Sequence, residues 1–299
     1  MKPRSERGQA AVLTVLFMVV LLGMAAAVLD VGHWYRDDRR LQATMDAAAL
    51  AGAQALPAST GEAEGLASAY AGKNGGGLDE VRFSTKTLAN DTIEVKGSRP
   101  SEGFFTKLFG ISSVTVHATA KARVGVLGSA KWAAPIAVDE RHPFIQNKRW
   151  GEATTLELDK VGPGAFRIMN IDGSYGGTSP PDLAEWIRSG YEGYMPLGWY
   201  YSDPGTKYNT NPHFKQALED VAVTGEEILL PVYRAVRAQG AGFEYEVVGW
   251  VGFVVTGYNI QGSKNNKIYG YFTQVIWEGI YSDEAGADDF GARAISLVE

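Results

Sequence analysis

The chain has 299 residues, no cysteine, 45% hydrophobic and 21% charged residues, and a formal net charge of −6. Lacking cysteine, it has no disulfide, no thiol nucleophile and no cysteine-ligated zinc, while the balance of apolar and charged residues is that of a folded chain rather than a disordered one. Beyond residue 56 it carries 22 Lys and Arg against 29 Asp and Glu, an acidic balance that argues against a nucleic-acid partner, since neutralising phosphates needs a basic face.

The first element is apolar. After a short basic tail (residues 1–9, with Lys2, Arg4 and Arg7), Ala10 to Leu29 read AAVLTVLFMVVLLGMAAAVL, without a charge. A helix of this length rises about 30 Å, the thickness of a bilayer's hydrocarbon core. Ala10, Val20, Leu21 and Leu29 mark the ends and the middle of this expected membrane anchor. The basic tail predicts a cytoplasmic N-terminus with the rest outside, although Arg36, Arg39 and Arg40 follow the run closely. The alternative is a cleaved signal peptide, with Ala25–Ala27 as the small-residue site.

No proline interrupts the chain before Pro57, so one helix is expected to continue out of the membrane. Trp34 and Tyr35 lie about a turn past the boundary, where interfacial aromatics belong. Val31, Trp34, Tyr35, Leu41, Met45, Ala48, Gly52 and Leu56 form an apolar stripe. The small residues of AAALAGAQA permit close packing, either on the protein's own sheet or on a partner helix.

Gly8 before the apolar run, then Asp30-Val31-Gly32, Arg40-Leu41-Gln42 and Asp46-Ala47-Ala48-Ala49-Leu50-Ala51-Gly52-Ala53, resemble the N-terminal segment of TadE/TadG-like proteins of tight-adherence (Flp-type) pilus assembly. Asp30, Gly32, Leu41, Gln42, Asp46, Ala49 and Gly52 carry the match, which spans residues 7–56. The resemblance implies a pilin-like protein of the bacterial inner membrane, without catalysis, whose partners are other pilus-assembly proteins or further copies of itself, reached through the N-terminal helix. Pilin-type processing sites place a Glu shortly after the glycine. Here Gly8 is followed by no acid until Asp30, so an assembly or accessory role is expected rather than that of a major pilin.

Next, Ser59 and Glu62 form a capping box opening a second helix to Lys73, stopped by Asn74–Gly77. VRFSTKT and TIEVKG predict a hairpin around Asn90-Asp91. EGFFTKLFG (102–110) predicts a short helix with Phe104, Phe105, Leu108 and Phe109 toward a core. Ser113–Val124 alternates cleanly and predicts a half-buried strand. Residues 30–128 thus form a small α+β unit.

The composition then shifts: six of seven Trp and 12 of 14 Tyr lie beyond residue 130, and a boundary is expected within Gly125–Ala134. Residues 135–299 read as mostly strand, at 154–160, 165–172, 226–237, 243–260 and 267–282, with short helices at Pro181–Ser189 and Pro212–Ala222. Pro231 predicts an edge or bulge position, and glycines at 249, 252, 257 and 270 predict bulges or bends. The expected fold class is therefore α+β: a long membrane-spanning, pilin-like helix with a small antiparallel sheet, then a mostly-β domain closing as a sandwich or barrel.

Catalytic motifs are missing. The four histidines form no metal-binding pair and read as surface residues; G-x-S-x-G and a Walker loop are absent. No catalytic, cofactor or metal residue is assigned. The loop holding Asp283, Glu284, Asp288 and Asp289 reads as a solvated acidic loop, with calcium as the alternative. Trp199, Tyr200 and Tyr201 follow a loop-like Met195–Gly198 and offer either core-capping or a partner- or sugar-binding surface; the latter would make the chain a stalked adhesin.

Overall fold

Helix α1 (Arg7–Ala53) runs unbroken for 47 residues, joining the apolar run and the stripe beyond it into one rod. It belongs to a computed structural model that describes residues 7–157, 166–174, 177–203, 211–239, 242–261, 266–282 and 288–298. The chain divides into two units, Met1–Arg123 with Ser296–Glu299, and Val124–Ile295. The overall class is α+β.

In the first unit, α2 (Thr60–Lys73) begins where expected: the Ser59 hydroxyl accepts the Glu62 N–H at 3.1 Å. Strands β1 (Glu80–Ser84), β2 (Thr92–Glu102) and β3 (Ser113–Ala130) pair antiparallel in that order, with Val81 opposite Val95 and Val95 opposite Ala120. The C-terminal half of α1 packs on β2 and α2. Leu41, Met45, Ala48, Ala49 and Leu56 are fully buried, together with Ala63, Ala67 and Ala71 of α2 and Ile93 and Val95 of β2. A buried Leu or Met side chain stabilises the fold by about 1.5–3 kcal/mol. The upper stripe behaves differently from expectation. Val31 and Tyr35 are exposed and Trp34 is half-buried, so the apolar stripe is fully buried only from Leu41 onward.

The hairpin loop between β1 and β2 is built on Asp91, which is fully buried. Its carboxylate accepts the N–H groups of Lys86, Thr87 and Leu88 at 2.7–3.0 Å and the hydroxyls of Thr87 and Thr92. Burial pushes this carboxyl up, but the donors outweigh it and hold it below the ordinary range. A carboxylate so lowered contributes stability above its unfolded value and loses it as pH falls through the folded value. Thermal unfolding in detergent micelles should therefore show Asp91→Asn less stable than the parent at neutral pH, with the difference shrinking below about pH 4. A pH-independent gap would contradict this account.

Strand β3 continues to Ala130, through residues whose sequence lacks alternation. The reason is burial on both faces: Ala122 to Leu127 are all buried, and such a strand has no period-two pattern to read. The division between units falls inside this strand rather than in a linker.

The second unit is mostly β. Its principal sheet orders β5 (Ala153–Glu157), β11 (Lys267–Thr273), β10 (Gly242–Asn259), β9 (Glu227–Gln239), β4 (Ile136–Asp139) and β6 (Phe166–Ile168), with β8 (Gly198–Tyr201) on β10. Of the expected strand at 154–160, the last three residues lie outside the described residues. Helices α4 (Pro180–Arg188) and α5 (Pro212–Thr224) start at prolines preceded by the capping residues Ser179 and Asn211. α3 (Pro143–Gln146) is a single turn. One sheet face packs Val138, Val232, Val251 and Phe253 against Leu183, Ile187, Phe214 and Leu218 of these helices. The other packs Leu229, Tyr233, Tyr245 and Trp250 with Leu127, Ala130, Met195, Ala292 and Ala294, giving a sandwich-like second core. The expected strand at 267–282 is three short ones: β11, β12 (Val275–Ile276) and β13 (Gly279–Tyr281). β14 (Ala292–Val298) pairs parallel with β12, and β7 (Met195–Pro196) antiparallel with β3.

Pro231 sits on an interior strand rather than an edge. It is tolerated there because pairing on its β4 side is irregular: a five-residue step from Ala133 to Val138 faces a three-residue step from Leu229 to Val232. Gly249 and Gly257 adjoin register shifts in β10, as expected, whereas Gly270 answers close packing, since a Cβ there would lie 2.1 Å from the Val254 carbonyl oxygen.

Candidate functional site

The apolar run is wholly unpacked. Thirteen large apolar side chains between Val12 and Leu29 are exposed, which a water-soluble helix does not sustain. Ala10, Val20, Leu21 and Leu29 all lie on this stretch, and it is long and apolar enough to cross a membrane.

One residue later the environment inverts. Asp30 is fully buried, although it directly follows Leu29. Its partner is the connection between β2 and β3, residues 103–112, which folds into a 3-10 turn (Thr106–Phe109) closed by Gly110 at φ 84°. Asp30 Oδ1 accepts the N–H of Phe104 at 2.9 Å, and Oδ2 accepts those of Phe105 at 2.9 Å and Thr106 at 2.6 Å. These N–H groups open a helical turn and have no partner within it, so an acid from elsewhere in the chain supplies the cap. Gly103 is required at this junction, because a Cβ there would meet the Thr106 hydroxyl at 1.9 Å.

The contact continues down one face of α1 at helical spacing. The His33 ring lies 4.9 Å from the Phe104 ring, and its Nε2 is 3.5 Å from Asp37 Oδ2. The Ser101 hydroxyl donates to Asp37 Oδ2 at 2.6 Å, and Arg99 donates to the Asp37 backbone oxygen at 3.1 Å. Further on, Gln42 donates both to the Thr119 carbonyl at 3.0 Å and to Asp46 at 2.8 Å. Of the polar residues singled out by the resemblance, Asp30 and Gln42 attach α1 to its domain, and Asp46 holds Gln42 within the helix. Leu41, Ala49 and Gly52 supply apolar contact: a Cβ on Gly52 would fall 2.6 Å from Ile93 Cδ1 and 2.9 Å from the Ala63 carbonyl oxygen. A Cβ on Gly32 would meet nothing within 4 Å.

One alternative is decided and one expectation is corrected here. The small-residue face of α1 is occupied by α2 and β2, so Ala49 and Gly52 are closed to a partner helix. And the residues of 102–110 do not face a core. Phe104, Phe105, Leu108 and Phe109 are exposed, Leu108 at 83%, as is Ile111. The apolar spacing was readable; what it faces was not. The roles of His33 and Asp37 were missed in the sequence. The available signal was an acid abutting an apolar run, which needs a partner wherever it is withdrawn from water.

The aromatic trio does not form one surface. Gly198–Tyr201 is a strand, not a loop, so its side chains alternate. Tyr200 is core, its hydroxyl donating to the Pro196 carbonyl at 2.7 Å, while Trp199 lies under the Arg237 guanidinium at 4.1 Å and Tyr201 is half-buried. Of the histidines, His142 is not at the surface. It is 2% exposed, caps α3 by accepting the Phe144 N–H, and packs edge-on against Phe272 at 4.9 Å; burial pushes its pKa down. In the acidic loop, Asp283 and Glu284 lie outside the described residues. Asp288 and Asp289 are engaged by Arg234 and Arg293. Among the described residues no group of three or more His, Asp or Glu is placed to hold a metal ion.

No curated protein and no solved structure matches the chain significantly. A family model does: the one described as putative Flp pilus-assembly TadE/G-like matches residues 8–55, the stretch that runs from the apolar helix through its docking face, so the N-terminal segment of this chain is similar to that of TadE/G-like Flp pilus-assembly proteins.

Proposed function

We propose that this protein is a non-enzymatic component of Flp pilus assembly, held in the bacterial inner membrane by one span. Its N-terminus is cytoplasmic and both folded units lie outside, acting by protein–protein contact. The observation that carries the reading is the exposed apolar stretch Val12–Leu29 inside the segment matched to the family. It is supported by the polar attachment just below that stretch, which fixes the domain rigidly to the end of the span. With the small-residue face closed, partners are left with the exposed length of α1 and with the surfaces of the outer units.

The test is Val20→Arg with Leu21→Arg. Each central arginine costs about 2.5–3.5 kcal/mol on insertion scales, so the variant is expected to lose resistance to alkaline extraction or to fail in export. The parent is expected to stay with the membrane and to be digested by protease added from the outer side only. A finished chain free in the medium and beginning near Val28 would overturn the proposal in favour of a cleaved signal.

A further inference from the structure

We propose that the 103–112 loop is a second membrane contact: its apolar side chains insert into the headgroup–acyl boundary of the leaflet from which α1 emerges. This rests on the membrane anchorage proposed above. Five large apolar side chains crowd this ten-residue loop and point to solvent: Phe104, Phe105, Leu108, Phe109 and Ile111, between 41% and 83% exposed. None of the five is buried, and Leu108 and Phe109 stand out at 83% and 75% exposed, yet the loop's backbone is ordered. Gly103 N–H donates to the Ser112 carbonyl, Ile111 N–H to the Thr106 carbonyl, and Gly110 N–H to the Lys107 carbonyl, at 3.0–3.1 Å. A rigid turn that displays Phe, Phe, Leu, Phe and Ile is built for an apolar occupant.

Position identifies that occupant as lipid. Asp30 is the residue next to Leu29, and its carboxylate is bonded to the first three N–H groups of the turn. His33, stacked on Phe104, lies only about 6 Å further along the helix axis than Leu29. The latch therefore sets the aromatic loop at the level where the span leaves the hydrocarbon. Aromatic side chains favour that depth, and an apolar patch there is continuous with the exposed apolar surface of α1. Lys107, in the same turn, reaches Glu102 at 2.9 Å and is placed to turn its ammonium toward headgroups while its stem lies along the apolar surface. Asp30 tolerates this site because three N–H donors replace the water it has lost. The outcome would be a foot: one span and one inserted loop, joined by a buried carboxylate, holding the first unit at a set angle to the membrane.

The chain has no cysteine, so a single one can be labelled. Leu108→Cys, Val20→Cys and Val223→Cys, each carrying a nitrobenzoxadiazole, would be reconstituted as the full chain in phosphatidylethanolamine–phosphatidylglycerol vesicles. Some of these vesicles would contain lipid with a nitroxide near the carbonyl end of the acyl chain. Leu108 and Val223 are both strongly exposed, so neither substitution disturbs packing. The expected result is a blue-shifted Leu108 label, quenched by the nitroxide lipid and protected from iodide, beside a Val223 label that is iodide-quenched and indifferent to the nitroxide. A Leu108 label behaving like Val223, with Val20 still shielded from iodide, would overturn the inserted loop and leave the anchor standing. A blue-shifted Leu108 label that the nitroxide does not quench would mean a protein partner covers the patch, and overturns it equally. A Val20 label open to iodide would overturn the anchorage and, with it, the loop.

Discussion

Asp30→Ala is expected to free the 103–112 loop from α1. The substitution removes the only acceptor shown for three N–H groups and a charge-assisted cap, a loss of about 2–4 kcal/mol. The amides of Phe104, Phe105 and Thr106 should then exchange hydrogen on the order of a hundredfold faster, since every 1.4 kcal/mol is a factor of ten. The effect is local. The Asp37–Ser101 and Gln42–Thr119 bonds lie further along α1 and depend on other side chains, so amides of β1 and the far end of β2 should keep their protection. Asp30→Asn keeps one acceptor oxygen but no charge and should fall between the two. If exchange at Phe104–Thr106 were unchanged in Asp30→Ala, the carboxylate would not be what holds the turn. With the loop released, the Leu108 label should also lose part of its lipid quenching, which ties the cap to the depth of the loop.

Gly52→Val is the second large effect. In a helix interior, replacing glycine ordinarily helps, because glycine costs about 1 kcal/mol relative to alanine. At Gly52 the gain is unavailable. The first added carbon already meets Ile93 Cδ1 at 2.6 Å and the Ala63 carbonyl oxygen at 2.9 Å, and the oxygen, being backbone, does not move aside. Valine should push α1 off α2 and β2 and destabilise the first unit by about 2–3 kcal/mol. Gly65→Ala in α2 is the internal contrast: nothing lies within 4 Å of its missing side chain, and it should stabilise by about 0.5–1 kcal/mol. Chemical denaturation in detergent, followed by hydrogen exchange at amides of α2 and β2, would rank the two. Equal stabilities would mean that α1 is not closely packed at Gly52. The same comparison bears on assembly. The small-residue face serves the protein's own domain, so a pilus-assembly defect in Gly52→Val would accompany unfolding of the first unit rather than loss of a partner site.

How far the sequence could be read depended on whether the deciding contact was local. Ser59 before Thr60, and Asn211 before Pro212, announce helix starts because a cap acts within four residues. Val116, Ala118, Ala120 and Ala122 announce a strand because one face alone is buried. Both signals fade when burial becomes two-sided. From Ala122 to Leu127 everything is inside. Phe104, Phe105, Leu108 and Phe109 show the same limit from the other direction. Their spacing suits a helix against a core and suits a turn against a membrane, and nothing within the segment distinguishes them. The distinguishing atom is the Asp30 carboxylate, more than seventy residues earlier in the chain.

Length and apolarity along the chain were enough to establish the rod at the N-terminus, since a span needs only about twenty uncharged residues in succession, and the residues from Asp30 to Ala53 carried the likeness to pilus-assembly proteins. Tertiary structure alone decided which faces of that rod are already taken. It closed the small-residue face with α2 and β2, withdrew Asp30 from water at the end of the apolar run, and turned a phenylalanine-rich loop outward. Each of these depends on groups far apart in the chain meeting in space, and pairwise contact of that kind leaves no periodicity to be read from either partner.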